Sequence, residues 1–164
     1  MDSMEKERAL FNQITSEPMM TEEEQRGFLE KFEQEGWLLA CEDRQYPLHD
    51  VLRFPARWLE RENLLSFAGN ARPGECYAFQ LALYSDSGLD QVSIGCSGFG
   101  GEVHCINGGG TDCLGNPLHK TISSQPERVQ PLWFYFMIPE DFQGSLEGSI
   151  CVTPSGKAGR CVSV

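Results

Sequence analysis

The sequence offers few side chains whose types and spacing would support catalysis. Glu140 and Asp141 form the one adjacent acidic pair in the C-terminal two-thirds of the chain, and they follow Pro139 in a predicted surface turn. Glycoside hydrolysis needs two carboxyls at a fixed separation, one with a raised pKa, and neighbours in a turn do not provide this. His104 and Cys105 also adjoin, but neighbours along a strand point to opposite faces, which is poor geometry for a base and its nucleophile. The sequence therefore predicts no catalytic residues and no enzyme activity in this chain alone.

The cysteines and histidines do not have the spacing of a metal site. There is no Cys-x2-Cys pair, and His104, Cys105, Cys113 and His119 are spread through a loop. We therefore expect no metal. The cysteine count is odd and no signal peptide is visible, which favours free, buried thiols. A bridge between Cys151 and Cys161 across the terminal hairpin is the less favoured alternative. The seven cysteines are Cys41, Cys76, Cys96, Cys105, Cys113, Cys151 and Cys161.

The glycine-rich stretch 108–110 only superficially resembles a phosphate-binding loop. It is followed by Thr111 and Asp112 and lacks the Lys-Ser/Thr ending of a Walker loop. A tight loop that uses positive φ angles is the simpler interpretation, with Asp112 accepting hydrogen bonds from nearby backbone amides. We therefore predict no bound cofactor.

These groups must be positioned by a mainly β fold. From residue 51 the hydrophobic pattern has a period of two, as in CYAFQLALY at 76–84. The segment 133–138 is apolar on both faces of its pleat, which predicts a central strand covered on both sides. Short strands with turns between them indicate an antiparallel β-sandwich, similar to an immunoglobulin or jelly-roll fold. The predicted core side chains are Phe79, Leu81, Phe134, Phe136 and Ile150.

An acidic helical extension is predicted before the sandwich. Thr21 and Glu24 have the spacing of a capping box, and Gly36 is placed to cap the C-terminus of a helix over 21–35. The apolar stripe of this helix comprises Phe28, Leu29 and Phe32, and the pattern extends it to Trp37, Leu38 and Leu39. A shorter helix is predicted over 4–14. We expect residues 1–50 to pack on a sandwich domain of residues 51–164.

The net charge of −11 is concentrated in the first 50 residues. An acidic chain repels phosphate backbones and anionic lipid, so neither nucleic acid nor a membrane is an expected partner. No stretch approaches 18 consecutive apolar residues, and the first thirty residues lack the basic start and apolar run of a signal peptide. These features predict a cytoplasmic protein.

The segments 105–152 and 71–84 resemble the N-terminal β-sandwich domain of family 123 glycoside hydrolases and their relatives. The resemblance covers Arg53 to Val164 in order and spacing, although Cys113 stands where a bulkier, often aromatic residue is expected. In that family the sandwich precedes a (β/α)8 barrel, where an adjacent Asp-Glu pair catalyses with help from the acetamido group of the substrate. The resemblance implies a barrel as partner and a non-catalytic accessory role for this chain.

Two hypotheses for the function follow, a structural accessory domain or a carbohydrate-binding module. The candidate carbohydrate or domain contacts are Trp58, Trp37 and Phe32, because sugar binding requires exposed aromatic rings and the pattern buries Trp133. Trp58 separates the hypotheses: buried beneath the helix it supports the accessory role, and exposed beside another ring it supports binding. Without its barrel, the chain is expected to self-associate or to expose an apolar patch near residues 28–59.

Overall fold

A computed structural model describes residues 17–164 as two facing four-stranded antiparallel sheets with a small hairpin. The elements are α1 (Glu22–Phe32), β1 (Leu38–Asp43), β2 (Cys76–Tyr84), β3 (Leu89–Gly98), β4 (Val103–Cys105), β5 (Gly109–Thr111), β6 (Pro117–His119), β7 (Ile122–Ser124), β8 (Gln130–Met137), β9 (Gly148–Thr153) and β10 (Arg160–Ser163). The first sheet has the order β1-β2-β8-β4, the second β10-β9-β3-β7, and β5 pairs with β6. The predicted mainly β antiparallel sandwich is confirmed. The predicted helix over 4–14 lies outside the described residues.

The core lies between the sheets and follows the period-two pattern. The five side chains named above as the predicted core are all buried there. Phe79 of β2 lies opposite Phe134 of β8, and their rings stack with centroids 5.4 Å apart. Position 148 on β9 requires glycine, because the ring of Phe99 lies over it and an added Cβ would come within 2.1 Å of that ring. The glycine that interrupts the apolar alternation therefore accommodates an aromatic residue.

The predicted complete burial of β8 is wrong for its outer face. Leu132, Phe134 and Phe136 are buried in the core, but Trp133 and Tyr135 are only half-buried, and Met137 is 61% exposed. The strand is central in its sheet, as predicted. Aromatic rings with a polar tip tolerate partial exposure, so their presence on both faces does not require a covering layer on both.

The capping box at the start of α1 is confirmed. The hydroxyl of Thr21 accepts a hydrogen bond from the backbone N–H of Glu24 (3.2 Å), and the Glu24 carboxylate accepts one from the N–H of Thr21 (2.7 Å). The helix ends at Phe32, earlier than predicted, and Gly36 is not its cap. Instead Glu35 and Gly36, at φ 53° and 80°, form the two-residue turn that sends the chain into β1.

Strand β1 moves the boundary between the extension and the sandwich. Residues 38–43 lie within the predicted extension of residues 1–50, yet β1 pairs along its length with β2. Leu38 and Leu39 do not continue the stripe of the helix but point to opposite faces of the first sheet. The short apolar run lacks alternation because both faces of β1 are covered. The core covers one face, and α1 together with the loop after β1 covers the other.

A second apolar cluster lies on the outer face of the first sheet, where α1 packs. Phe28 of α1 contacts Phe54 and Trp58 of the loop that follows β1, with ring centroids 5.6 and 6.1 Å apart. The Trp58 indole donates a hydrogen bond of 2.8 Å to the buried carboxylate of Glu42, which also forms an ion pair with Arg57. The extension therefore packs on the sandwich through a continuous aromatic layer and one buried, fully partnered acid.

The expectation that all seven cysteines are free is wrong. Cys151 and Cys161 lie directly opposite each other on β9 and β10 and form a disulfide. Five cysteines remain free, of which Cys41 is buried and Cys76, Cys96 and Cys113 are exposed. The bridge forms because the register of the β9–β10 hairpin places the two cysteines opposite each other, an arrangement that a count of cysteines does not reveal.

The sandwich is closed on one side and open on the other. The backbone of segment 64–67 bonds to Cys41 at the β1 edge and to Ser163 at the β10 edge, so it joins the two sheets. At the opposite side, no strand within residues 17–164 connects β4 to β3 or β7. No helix in the described part of the chain is long and apolar enough to cross a membrane.

Candidate functional site

The predicted contact residues do not form one site. Trp58 and Trp37 are both fully buried, and they lie on opposite sides of the first sheet. The Trp37 ring packs in the core under the guanidinium of Arg160, 4.9 Å from its centroid. Phe32 is half-buried on the outer cluster, 4.6 Å from the Phe28 ring. Trp58 and Trp37 therefore hold elements together and are not accessible to a sugar, whereas part of the Phe32 ring remains on the surface.

The other residue pairs singled out from the sequence are also separated. Glu140 and Asp141 are exposed in a turn. His104 points to the outer face of β4, whereas Cys105 points inward and is half-buried, so the two do not face each other. Burial raises the pKa of the Cys105 thiol, which disfavours the reactive thiolate. Among residues 17–164, no three His, Cys, Asp or Glu side chains gather in a way that would hold a metal ion.

The glycine-rich stretch forms the base of the β5–β6 hairpin. Gly109 has φ 128°, and a Cβ there would lie 1.9 Å from the Leu118 carbonyl oxygen, so the close approach of the two strands requires glycine. At the tip, the Asp112 carboxylate accepts backbone hydrogen bonds of 2.8 Å from Leu114 and Asn116. The Asn116 side chain and these amides hold the pKa of Asp112 below its usual value. The predicted bonding of Asp112 to nearby amides is confirmed, and its function is to shape the turn.

One surface does present aromatic side chains to solvent. It comprises Trp133, Tyr135 and Met137 of β8 with His104 of β4, on the part of the outer face that α1 leaves uncovered, and we call it the aromatic strip. Tyr135 lies opposite His104 in the sheet. Their rings are 4.9 Å apart and within 19° of parallel. The strip is a shallow surface of rings and a thioether, which suits contact with another surface or with a sugar face.

The neighbours of Trp133 fix its position. Beyond the end of β4, the Asn107 side chain substitutes for a strand: its oxygen accepts the Trp133 N–H (2.8 Å) and its nitrogen donates to the Pro131 carbonyl (3.1 Å). On the other side, the buried Gln80 lies opposite Trp133 and accepts a hydrogen bond from the Leu48 N–H (2.6 Å). The Trp133 segment of β8 is therefore held from both sides. The alternation of inward and outward positions along 132–137 could have indicated this surface. It was missed because every aromatic residue of the segment was assigned to the core.

The open side of the sandwich contains a cleft of about 400 Å³. Its wall is formed by Val92 and Ile94 of β3, by Ile122 of β7 and by Cys105, with Lys120 at its rim. The apolar residues continue the core toward solvent, because no strand closes the sheets here. The cleft holds no carboxyl pair, so it has no groups for acid-base hydrolysis.

The fold resembles part of a known glycosidase. The chain superimposes on a family 123 glycoside hydrolase from Clostridium perfringens, which hydrolyses glycolipid glycans, with a TM-score of 0.54 and 13% identity. The match covers 77% of this chain and 26% of that enzyme, so this chain spans about a quarter of its length. A DUF4466 family protein from Parabacteroides merdae aligns at 14% identity over 79% of this chain and 43% of that one, with a TM-score of 0.41. No protein-family model and no curated protein matches the chain. At 13% identity the likeness to the glycoside hydrolase extends to the fold alone.

Proposed function

We propose that this chain is a non-catalytic accessory β-sandwich domain that works beside a larger catalytic unit in a carbohydrate-active protein. The likeness to one quarter of a glycosidase supports this role. One observation carries it over the alternative drawn from the sequence: Trp58 is fully buried between α1 and the first sheet. The ring that would have had to stack on a sugar serves as packing. The partner that we propose is a (β/α)8 barrel.

The acidic groups agree with a non-catalytic role. Glu42 is the one buried acid among the described residues. Arg57 and the Trp58 indole both donate to its Oε2, and the Asp43 backbone N–H donates to its Oε1. Glu33 has a raised pKa, mainly because of burial and then because of the nearby Asp86 charge. Neither Glu33 nor Glu42 lines the cleft. An acid can protonate a glycosidic oxygen only if the substrate reaches it, and the buried Glu42 does not offer that access.

The aromatic strip favours a second candidate function, binding of carbohydrate. Trp133, which the sequence pattern placed in the core, is only half-buried and lies beside Tyr135 and His104. Rings on a rigid sheet are suited to stacking on the apolar face of a pyranose at little cost in conformational entropy. The same strip would equally suit packing against a barrel, which is the use that the accessory role implies.

The length of the natural protein tests the accessory role directly. An antibody raised against this chain should detect a natural protein longer by about 250 residues, the typical size of a (β/α)8 barrel. The purified chain should release no nitrophenol from aryl N-acetyl-galactosaminide or N-acetyl-glucosaminide. A natural protein of only this length, or hydrolysis abolished by one substitution within residues 17–164, would contradict the proposal.

Affinity electrophoresis separates the two candidates. The chain would be run through gels containing neutral polysaccharides or N-acetylhexosamine polymers, together with Trp133→Ala and Trp58→Phe variants. The accessory role predicts no retardation by any polymer. Retardation that Trp133→Ala removes and Trp58→Phe retains would establish the aromatic strip as a carbohydrate-binding surface.

A further inference from the structure

The second half of β3 has a free edge. Strand β7 pairs with β3 only at Leu89 and Val92, and the register slips between them at a bulge where Gln91 has φ 43°. From Ser93 to Gly98, β3 pairs with β9 and with no other strand within residues 17–164. The chain before β7 turns away at Thr121 into the β5–β6 hairpin, so no strand within residues 17–164 continues beside β3.

The direction of the unpaired backbone groups follows from the register. Gly148 exchanges both of its backbone hydrogen bonds with Val164 beyond β10, so the alternate residues of β9, beginning at 149, bond to β3. Their partners on β3 include Gly95. The N–H and C=O groups of Ile94 and Cys96 therefore point to the free side. An unpaired row of this kind is a template for another strand.

This edge lacks the usual protection against pairing. Residues 93–98 have the sequence SIGCSG, with no charged residue and no proline, and all but Ile94 are exposed. Natural edge strands are commonly protected by Lys, by Pro or by a covering element. Lys120 lines the neighbouring cleft together with Ser93 and Ile94, and residues 95–98 do not line it.

We propose that this edge pairs with the same edge of a second copy of the chain, antiparallel and centred on Cys96. Such pairing sets Ile94 opposite Gly98 of the other copy, and all of these positions direct their backbone groups to the free side. Pairing centred on Ile94 instead would set position 96 against Val92, which β7 already occupies. Centring on Cys96 thus satisfies the alternation of hydrogen bonds and avoids β7.

Charge supports a second copy as the occupant at this place. The chain carries a net charge of −11, so most contacts between copies would bring acids together. The stretch 93–98 is uncharged, and a two-fold contact there opposes only small neutral side chains. A contact confined to one edge falls in the weak class, below about 1,200 Å² of buried area, so dimers are expected at high protein concentration. The inference does not depend on the accessory role.

Sedimentation with a matched pair of variants tests the proposal. The protein would be measured over a range of concentrations in reducing buffer, together with Cys96→Pro and Cys96→Ser. Proline removes an N–H that points to the free side and is tolerated at such edge positions, whereas serine retains it. Wild type and Cys96→Ser should dimerise reversibly, and Cys96→Pro should lose the dimer while keeping its circular dichroism spectrum.

Thiol cross-linking gives a second measurement that does not depend on the proline variant folding. Opposed residues of a hydrogen-bonded antiparallel pair lie about 5.5 Å apart at Cα, within the range for a disulfide. In a background with serine at positions 76, 105 and 113, mild oxidation should link two copies through Cys96. The matched control keeps Cys113, an exposed thiol at the hairpin tip, and has serine at positions 76, 96 and 105.

Three outcomes would overturn the proposal. They are a strict monomer at the highest concentration, a dimer that a folded Cys96→Pro variant retains in full, and cross-linking through Cys96 that is no more efficient than through Cys113. A concentration-dependent dimer lost on Cys96→Pro, with preferential cross-linking through Cys96, would establish the edge as the site of self-association.

Discussion

Replacement of Phe134 by alanine should cause a large loss of stability, because its ring lies at the centre of the core. The side chain is fully buried and stacks on Phe79 with centroids 5.4 Å apart. Transfer of a phenylalanine side chain from water contributes about 1.5 to 3 kcal/mol, and the cavity left by the ring adds to this. Strand β8 is paired with β2 on one side of Phe134 and with β4 on the other. These pairings keep the backbone from moving into the cavity. We therefore expect a loss of about 3 to 5 kcal/mol in the free energy of unfolding.

Urea denaturation followed by circular dichroism would measure this loss, with the disulfide kept oxidised in every variant. The m-value should not change, since the same surface is exposed on unfolding. Met137→Ala on the same strand is the matched control, because its side chain is 61% exposed. The control should change stability by less than about 1 kcal/mol. A loss of under about 1 kcal/mol for Phe134→Ala, or equal losses for the two variants, would refute the assignment of the two faces of β8.

Three further outcomes follow from other contacts. Trp58→Phe removes the donor to the buried Glu42 carboxylate and should lower the free energy of unfolding, measured in urea, by about 1 to 3 kcal/mol. An unchanged urea midpoint would contradict that hydrogen bond. Thiol titration of unfolded, unreduced protein should count five groups, and seven would exclude the bridge between Cys151 and Cys161. Burial raises the pKa of Tyr84, so its contribution to stability is complete below about pH 10, the value for an unfolded tyrosine, and is lost as the pH rises further. Tyr84→Phe should therefore make alkaline unfolding curves less steep, and identical curves would argue against a buried phenol.

Local chemistry and period-two alternation were enough to predict much of the fold. The capping box at Thr21 was predictable because it depends on two residues three positions apart. The inward-facing side chains of β2 were predictable because large apolar residues alternate with small or polar ones over most of the strand, although both of its faces are buried. Both signals are local in the sequence.

Features that depend on distant partners were harder to predict. Strand β1 has too short an apolar run to be distinguished from the end of a helix, and its pairing with β2 is what makes it a strand. Gly36 does adopt a positive φ, but the same conformation serves a helix cap and a two-residue turn. Sequence alone predicts that conformation and not the element that uses it.

The candidate site was predicted least well. Trp133, which the sequence pattern placed in the core, is only half-buried on the outer face, whereas Trp58, whose environment the sequence left open, is fully buried. Burial of a tryptophan depends on what covers its face of the sheet, and here α1 covers only the side of β1 and β2. The expected apolar patch near 28–59 is mostly internal. The most exposed apolar side chains lie instead on β8 and around the β5–β6 hairpin, at Met137, Leu114 and Ile106.

The one-sided closure of the sandwich has a consequence for its fluctuations. A disulfide and segment 64–67 secure the side of β1 and β10, while the other side ends in β4 and β7, each only three residues long. Partial opening of such a molecule costs least where few bonds must break at once. The two sheets should therefore separate first on the side of β4 and β7, while they stay joined on the side of β1 and β10. Amide protons of β4 and β7 should exchange with solvent first, and those of β9 should exchange only when the whole domain unfolds.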